Sequence, residues 1–437
     1  MTQADSSNGT RSARRARLKR YLMAVTLVLA PQALWAQSAG QFEQPPIVNA
    51  SQLLPAAALA GPGYHVEPLV MTNGAMGRYT IVLDQSVFHE DAGSYEVESL
   101  NLLKIRLSEI PAIEQLEQMR KSTVFAQALA QSAARPVKMG VQMVTHPLDT
   151  VTGLPSGVGE FFGRVSLGAD SLWATATNSS ESGGERASQT AGETANITLT
   201  ALGYDDVRRQ LAKKLHVDPY TTNPILKEKL NSTAWVMFSA RLAVNTAVSV
   251  AVPGSMIITG VEFTNDLVYQ TPKGDLILLV EKKLQDIGCS QAEIAAFSHN
   301  TAIPLSLQVS AVTDLESLGS IPGRRLVAVA LSNVLTEYQA RFFVTSIRML
   351  AQWSQQKAAI TNLGAPSILI ARDQNNTVIL PAPVDYVSWT PRIAGFVTTP
   401  ALLAQQNRVL WIPAGMTPLA QQQLTGNGWT VHQSAQP

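Results

Sequence analysis

A single cysteine, Cys289, limits how this chain of 437 residues can be held together. One thiol cannot form an intramolecular disulfide, so the folded chain must be stabilised by packing of its core. Apolar residues make up 46% of the sequence. A chain of this length and composition can build one large core or two to three smaller ones.

The first 36 residues have the composition of a secretory signal peptide. Six basic residues precede the apolar run YLMAVTLVLAPQALWA, and Asp5 is the only acidic residue before that run. A basic start, an apolar centre and a small residue at the cut are typical of such signals. We therefore predict cleavage after Ala36, export to the periplasm and no lipid anchor, because no cysteine follows the cut. The paired arginines of ARRARLK leave the twin-arginine route open as an alternative.

The charge of the chain predicts no nucleic-acid partner. The whole chain has 33 basic and 32 acidic residues. The predicted signal removes six basic residues and one acidic residue, which leaves a net charge of minus four. A faintly acidic protein has no overall attraction for nucleic acid or for anionic lipid. No motif in the sequence requires a cofactor, so we expect none.

Hydrophobic periodicity predicts an α+β protein that is predominantly α-helical. We expect a flexible tail over 37–60 and then a region over 61–176, which begins with a β-hairpin in GRYTIVLDQSVFHEDAGSYEVES and continues with helices. A polar linker over 177–196 separates this region from a multi-helix body over 197–355. A small α/β domain over 363–437 follows, because β-branched runs flank turn residues there.

Capping residues indicate several helix boundaries. Pro111 stands at a position typical of the first turn of a helix. Asn223 should cap a helix that begins with proline, and Ser290 with Glu293 has the spacing of a capping box. A single long helix is predicted over 324–353.

The stretch GLPSGVGEFFG, residues 153–163, lies within a block over 135–176 that predicts an amphipathic helical hairpin. Its glycines do not match the spacing of a nucleotide-binding loop. Gly159 and Gly163 have the small-xxx-small spacing that lets two helices approach closely. Close packing against another helix is therefore the leading interpretation of this stretch.

Peripheral contact with a membrane is the second interpretation of the same block. Phe161, Phe162 and Trp173 follow one side of the predicted helical hairpin, and such residues bind well at a lipid interface. The polar side lacks the basic residues that strengthen this kind of binding. These three aromatic residues are the predicted membrane or partner contacts.

A second apolar stretch, 242–261, contains no charge over twenty residues and is long enough to cross a membrane. Pro253 and Gly254 divide it near its middle, and five hydroxyl or amide side chains lower its hydrophobicity. A buried helix and turn is the favoured interpretation, and a membrane span is the alternative.

A search for catalytic or metal-binding patterns yields only weak candidates. His89 is followed by two acidic residues, but this cluster lies in the predicted hairpin turn, where solvated charges are ordinary, and no metal site is predicted. Cys289 lies between a helix end and a helix cap and is most simply a small buried side chain. His216, Asp218 and Tyr220 flank a turn, and a pocket that joined them to a distant acid or serine would favour catalysis.

Two functions from different classes remain open at this stage. The first is a non-enzymatic protein of the cell envelope with a scaffold or interaction role, whose partner is a membrane surface or another envelope protein. In this hypothesis the helical body packs on itself or on the membrane surface, and the C-terminal α/β module presents a partner-binding face with Trp389, Trp411 and Trp429. The second is an exported hydrolase with a site assembled from distant residues. The absence of a catalytic motif favours the first. The sequence leaves the catalytic residues and the oligomeric state unknown.

Overall fold

The computed structural model describes residues 42–133, 203–241, 266–365 and 368–433. Four predicted segments lie wholly or largely outside these ranges: the signal peptide, the Gly-rich hairpin, the polar linker and the apolar stretch 242–261. Within the described ranges the protein is α+β and mainly helical, with a six-stranded sheet in its N-terminal part, and a five-stranded sheet and a two-stranded sheet in its C-terminal part. The fold class predicted from the sequence is therefore confirmed.

An antiparallel sheet of six strands follows Phe42 in the described chain. The strands lie in the order β1-β4-β5-β3-β2, and β6 pairs with the opposite edge of β5. The predicted hairpin is present as β5 and β6, although a helical turn joins them instead of a tight turn. The elements are Ile47–Asn49 (β1), Ala56–Leu59 (α1), Ala60–Gly61 (β2), Tyr64–Val66 (β3), Leu69–Thr72 (β4), Gly77–Leu83 (β5), Gln85–Phe88 (α2) and Gly93–Glu98 (β6).

Residues 42–60, which we expected to belong to a flexible tail, are instead built into the fold. Val48 and Ala50 are buried in the core beneath the sheet, and β1 pairs with β4. The Glu43 carboxylate accepts hydrogen bonds from the backbone N–H of Trp389 at 2.6 Å and from the Thr417 hydroxyl at 2.6 Å. The prediction was wrong because the composition of this segment does not show its contacts. The two hydrogen bonds of Glu43 join residues more than 300 positions apart.

Helices form the middle of the molecule. Two of the predicted caps are present: Asn223 accepts hydrogen bonds from backbone amides of the first turn of its helix, and Ser290 and Glu293 form a capping box. The helices are Leu100–Arg120 (α3), Thr123–Ala133 (α4), 203–214 (α5), Pro224–Ser239 (α6), Asp266–Gln270 (α7), Lys273–Asp286 (α8), Gln291–Ser298 (α9), Leu305–Ser317 (α10), Arg324–Ser332 (α11) and Glu337–Gln356 (α12).

Pro111 does not begin a helix, as the sequence had suggested, but lies inside α3. A proline within a helix removes one hydrogen bond and crowds the preceding turn, at a cost of about 3 kcal/mol. Leu107, Ile110 and Ile113 are each at most 4% exposed around it. Burial of a large aliphatic side chain contributes about 1.5–3 kcal/mol, so these side chains together offset the cost of the proline.

The single helix predicted over 324–353 is two helices, α11 and α12, with a break at residues 333–336. Asn333 ends α11, and Val334 is buried in the helical core. Thr336 has extended backbone angles as the N-cap of α12. The prediction failed because the apolar spacing happens to continue across the break.

The C-terminal unit is α/β, as predicted, and its first strand begins at Ile360, three residues before the predicted boundary. Its sheet has the order β13-β11-β9-β8-β7, in which β9, β11 and β13 are parallel and β7 and β8 are antiparallel. The elements are Ile360–Gly364 (β7), Ile370–Asp373 (β8), Val378–Pro381 (β9), Tyr386–Val387 (β10), Pro391–Val397 (α13), Pro400–Leu403 (α14), Arg408–Ile412 (β11), Gly415–Met416 (β12), Pro418–Gly426 (α15) and Trp429–Gln433 (β13).

Asp385 joins the C-terminal unit to the N-terminal sheet. Its buried carboxylate accepts hydrogen bonds from the backbone N–H of Gly77 at 2.8 Å and of Leu100 at 2.9 Å. Its own N–H donates to the carbonyl of Ala75 at 2.9 Å. Leu100 is the first residue of α3, so the carboxylate lies at the positive end of that helix. The N-terminal sheet and the C-terminal unit are therefore held together by buried polar contacts.

Gly323, the N-cap of α11, provides a test of the packing of α11 against β7. Its φ is 93°, and a Cβ atom there would lie 1.9 Å from the carbonyl oxygen of Leu363 in β7. We expect Gly323→Ala to lower the free energy of unfolding by at least about 2 kcal/mol, measured by chemical denaturation. Gly319→Ala is the matched control, because Gly319 also has a positive φ but has nothing within 4 Å of its Cβ position. Equal losses for both variants would show that Gly323 does not contact β7 so closely.

No helix within the described ranges combines the length and the apolar composition needed to span a membrane.

Candidate functional site

A cavity of about 420 Å³ opens where the N-terminal sheet meets the helices. Its walls come from β5 and β6 on one side, the first turns of α3 below, and the start of α12 on the other side. Most of the side chains that line it are charged or carry a hydroxyl group. The lining residues are Arg78, Glu96, Val97, Glu98, Leu102, Arg106, Thr336, Glu337 and Tyr338.

Arg106 forms the floor of this cavity. Its guanidinium donates to Glu109 at 3.0 Å, to Glu337 at 2.6 Å and to the Thr222 hydroxyl at 2.7 Å. Burial alone would lower the pKa of Arg106, but the two carboxylates outweigh that effect and raise it. One side chain of α3 thus connects a loop before α6 to the first turn of α12.

The Glu109 carboxylate is only 1% exposed and is satisfied entirely by protein groups. In addition to Arg106, it accepts hydrogen bonds from the Thr221 hydroxyl at 2.5 Å and from the Asn223 amide at 2.8 Å. A buried charge is tolerated when it is paired and fully hydrogen-bonded in this way. Glu109 therefore acts as a structural anchor beneath the cavity.

Glu337 is held as a carboxylate. Burial would raise its pKa, but Arg341, Arg106 and the Thr222 hydroxyl lower it overall. Arg341 lies one turn further along α12, with its nitrogen 2.6 Å from the carboxylate. A carboxylate with a lowered pKa and two arginine partners is a poor proton acceptor at neutral pH, so it does not have the properties of a general base.

Asp218 has the most perturbed carboxyl group near this network, because burial raises its pKa to about 6. It accepts hydrogen bonds from the Tyr220 N–H at 2.8 Å and from the Ser306 hydroxyl. Asp218 and Ser306 are both 4% exposed, so a substrate could not reach the serine without movement of the core. His216 is exposed. The structure therefore joins Asp218 to a distant serine but does not place His216, Asp218 and Tyr220 in a common pocket.

Basic side chains contact the cluster that begins at His89. Asp91 forms an ion pair with Lys229 at 2.7 Å, and the His89 ring nitrogen Nε2 lies 3.1 Å from the Lys121 ammonium. Within the described residues, no three histidine, cysteine, aspartate or glutamate side chains gather closely enough to hold a metal ion.

Cys289 is partly buried, and it lies beside the start of α9. Burial raises the pKa of its thiol, and the nearby Glu293 carboxylate raises it further. Both effects disfavour the thiolate, which is the reactive form of cysteine. The structure therefore supports the interpretation of Cys289 as a packed side chain.

The outward face of the N-terminal sheet carries an apolar patch, which we define as Ile47, Leu69 and Met71. These side chains are 65%, 65% and 63% exposed. Ile47 lies opposite Met71, Met71 lies opposite Arg78, and the cavity begins at Arg78. Single exposed aliphatic side chains are ordinary, but a contiguous group of them is typical of an interaction surface.

The five site residues predicted from the sequence lie outside the described residues: Gly159, Phe161, Phe162, Gly163 and Trp173. The structure thus leaves them as predictions. The predicted partner-binding face of the C-terminal unit is wrong, because Trp389, Trp411 and Trp429 are at most 4% exposed and belong to the core. Sequence reasoning missed both the cavity and the apolar patch. Alternation in β5 was a usable signal for the outward face of that strand, but β4 is apolar on both faces and did not show which one is exposed. Glu337 is 231 positions from Arg106 and gave no local signal.

Comparison with family models, with curated proteins and with solved structures found no match for this chain.

Proposed function

We propose that this chain is an exported, non-enzymatic protein of the bacterial cell envelope, with a scaffold role and a peripheral contact with the membrane surface. The observation that carries the proposal is the apolar patch on the outward face of the N-terminal sheet. Export is supported by the composition of residues 1–36, which is typical of a cleaved signal peptide. The mature protein would then act in the periplasm.

The position of Arg78 beside the apolar patch supports a lipid surface as the partner. Aliphatic side chains can enter the boundary between headgroups and acyl chains, and a neighbouring guanidinium can reach the lipid phosphates. Because the mature chain has a net negative charge, binding must depend on this local arrangement rather than on overall attraction. Phe161, Phe162 and Trp173 would add a second contact of the same kind.

Flotation with liposomes tests the proposed contact. We expect the mature chain, residues 37–437, to float with vesicles that contain anionic lipid. The variant Ile47→Ser/Leu69→Ser/Met71→Ser should bind at least about tenfold more weakly, because burial of each aliphatic side chain contributes about 1.5–3 kcal/mol.

Two further variants complete the flotation experiment. Leu278→Ser/Leu326→Ser replaces exposed leucines on α8 and α11, away from the patch, and should float like the wild type. Phe161→Ser/Phe162→Ser measures the contribution of the second predicted contact. If the wild type stays at the bottom of the gradient with every vesicle composition, the proposed membrane contact is wrong.

A further inference from the structure

The outer edge of β6 has no strand partner in the described part of the chain. Residues Gly93–Glu98 pair with β5 on one side, and no other described backbone group bonds to them on the other. In an edge strand, every second residue directs its N–H and C=O away from the sheet. Such an edge is a ready template for an additional strand.

The 420 Å³ cavity lies against this free edge. Glu96, Val97 and Glu98 all contact it. Consecutive residues of a strand point to opposite faces of a sheet, so a cavity that meets three in a row faces the edge of the strand. Across the cavity, the Thr336 hydroxyl is buried and has no hydrogen-bond partner. The cavity is therefore a groove with unpaired backbone groups of β6 along one wall and the start of α12 along the other.

The charges of β6 identify what kind of strand would fit. Its only ionisable acids are Glu96 and Glu98, and it carries no basic side chain. Glu96 forms no ion pair within the described ranges. Glu98 forms one ion pair there, with the exposed Arg78 at 3.8 Å. Both carboxylates point to the outward face, with the buried Val97 between them on the other face.

We propose that an extended segment of a partner protein adds to β6 as a further strand and carries basic, apolar and basic residues in alternation. Two basic side chains at positions i and i+2 would lie beside Glu96 and Glu98 on the outward face. The apolar residue between them would face Val97 and Leu102. The binding mode is β-strand addition, in which main-chain hydrogen bonds supply affinity and alternate side chains supply specificity.

A second copy of this chain is a poor occupant of the groove. Two β6 strands paired across a two-fold axis would bring the carboxylates of Glu96 and Glu98 beside those of the second copy. Like charges at opposed positions of neighbouring strands are destabilising. The proposal does not depend on the membrane contact described above, because the aliphatic side chains of that contact lie on β1 and β4, although Arg78 borders both surfaces.

The probe is the acetylated and amidated peptide Thr-Lys-Val-Lys-Val-Lys-Thr, with affinity measured by calorimetry on the full chain. Two modified peptides carry N-methyl groups on the valines or on the lysines. Only one of these two sets of amides can point at β6, since the amides of a strand alternate in direction. We expect one modified peptide to bind at least about tenfold more weakly and the other to bind within about threefold of the parent peptide.

Charge variants provide the second part of the test. Glu96→Gln/Glu98→Gln should weaken binding at least about tenfold, whereas Glu67→Gln/Glu90→Gln, which removes two exposed carboxylates outside the groove, should leave it unchanged. Unchanged thermal midpoints show that each variant is folded. The proposal is overturned if the parent peptide does not bind or if both methylated peptides bind equally well. The serine variant of the apolar patch should still bind the peptide, which separates this result from failure of the membrane contact.

Discussion

Replacing Arg106 with alanine is expected to lower the free energy of unfolding by about 3–5 kcal/mol. The guanidinium is 15% exposed and pairs with Glu109 at 3.0 Å and with Glu337 at 2.6 Å. Its removal would leave the almost completely buried Glu109 without its cation, and it would leave Glu337 with Arg341 as its remaining arginine partner. Equilibrium denaturation in urea measures the loss directly.

Arg325→Ala is the matched control for this prediction. Arg325 also pairs with a glutamate, Glu293, at 2.8 Å, but it lies on the surface. Solvent screens exposed ion pairs strongly, so this variant should unfold at nearly the same urea concentration as the wild type. A loss below about 1 kcal/mol for Arg106→Ala would show that water screens the buried network and that Arg106 does not hold α3 and α12 together.

Asp385→Ala is the second substitution for which we expect a large effect, a loss of about 3 kcal/mol at pH 4.5. The variant leaves the N–H groups of Gly77 and Leu100 without their acceptor, and an unsatisfied buried donor costs about 1–3 kcal/mol. It also detaches the C-terminal unit from the start of α3. Denaturation followed by both tryptophan fluorescence and circular dichroism shows whether the transition remains a single step.

The pKa of Asp385 adds a pH dependence with a definite sign. Burial raises this pKa to about 6, above the usual value for aspartate of about 3.9. The folded protein therefore binds this proton more tightly than the unfolded chain does. The resulting stabilisation is complete below pH ~4 and is lost as the pH rises through 6, by about 3 kcal/mol in total.

Comparison with Asp385→Asn isolates this contribution. The difference in free energy of unfolding between wild type and variant should be about 2 kcal/mol larger at pH 4.5 than at pH 7. Asp218, whose pKa is also about 6, and the acids with lowered pKa, such as Glu337, titrate in both proteins and cancel in the difference. A difference that does not change with pH would contradict the raised pKa of Asp385.

Local chemistry explains which elements could be predicted from the sequence. The caps at Asn223 and Ser290 depend on residues within three positions, and both were predicted correctly. The strands β8 and β9 were predicted because turn residues separate two β-branched runs. The position of Pro111 inside α3 and the break at residues 333–336 were missed, because tertiary packing overrides local preference at both places.

The candidate sites depend on contacts that no local pattern reveals. Arg106 meets Glu337 across 231 positions, and Asp385 meets Leu100 across 285 positions. The groove beside β6 arises only when α12 is placed next to the N-terminal sheet. The alternation of apolar and polar residues in β5 and β6 predicted a hairpin, but it could not show which strand would lie at the edge.

Fractionation of expressing cells examines export and the envelope contact in one experiment. We predict that the wild-type chain is released from the cytoplasm with Gln37 as its first residue, as measured by intact mass, and that it sediments with membranes. The variant Ile47→Ser/Leu69→Ser/Met71→Ser should have the same first residue and appear in the soluble periplasmic fraction. A wild-type chain that keeps residues 1–36 and stays in the cytoplasm would show that the proposed export and envelope role are wrong.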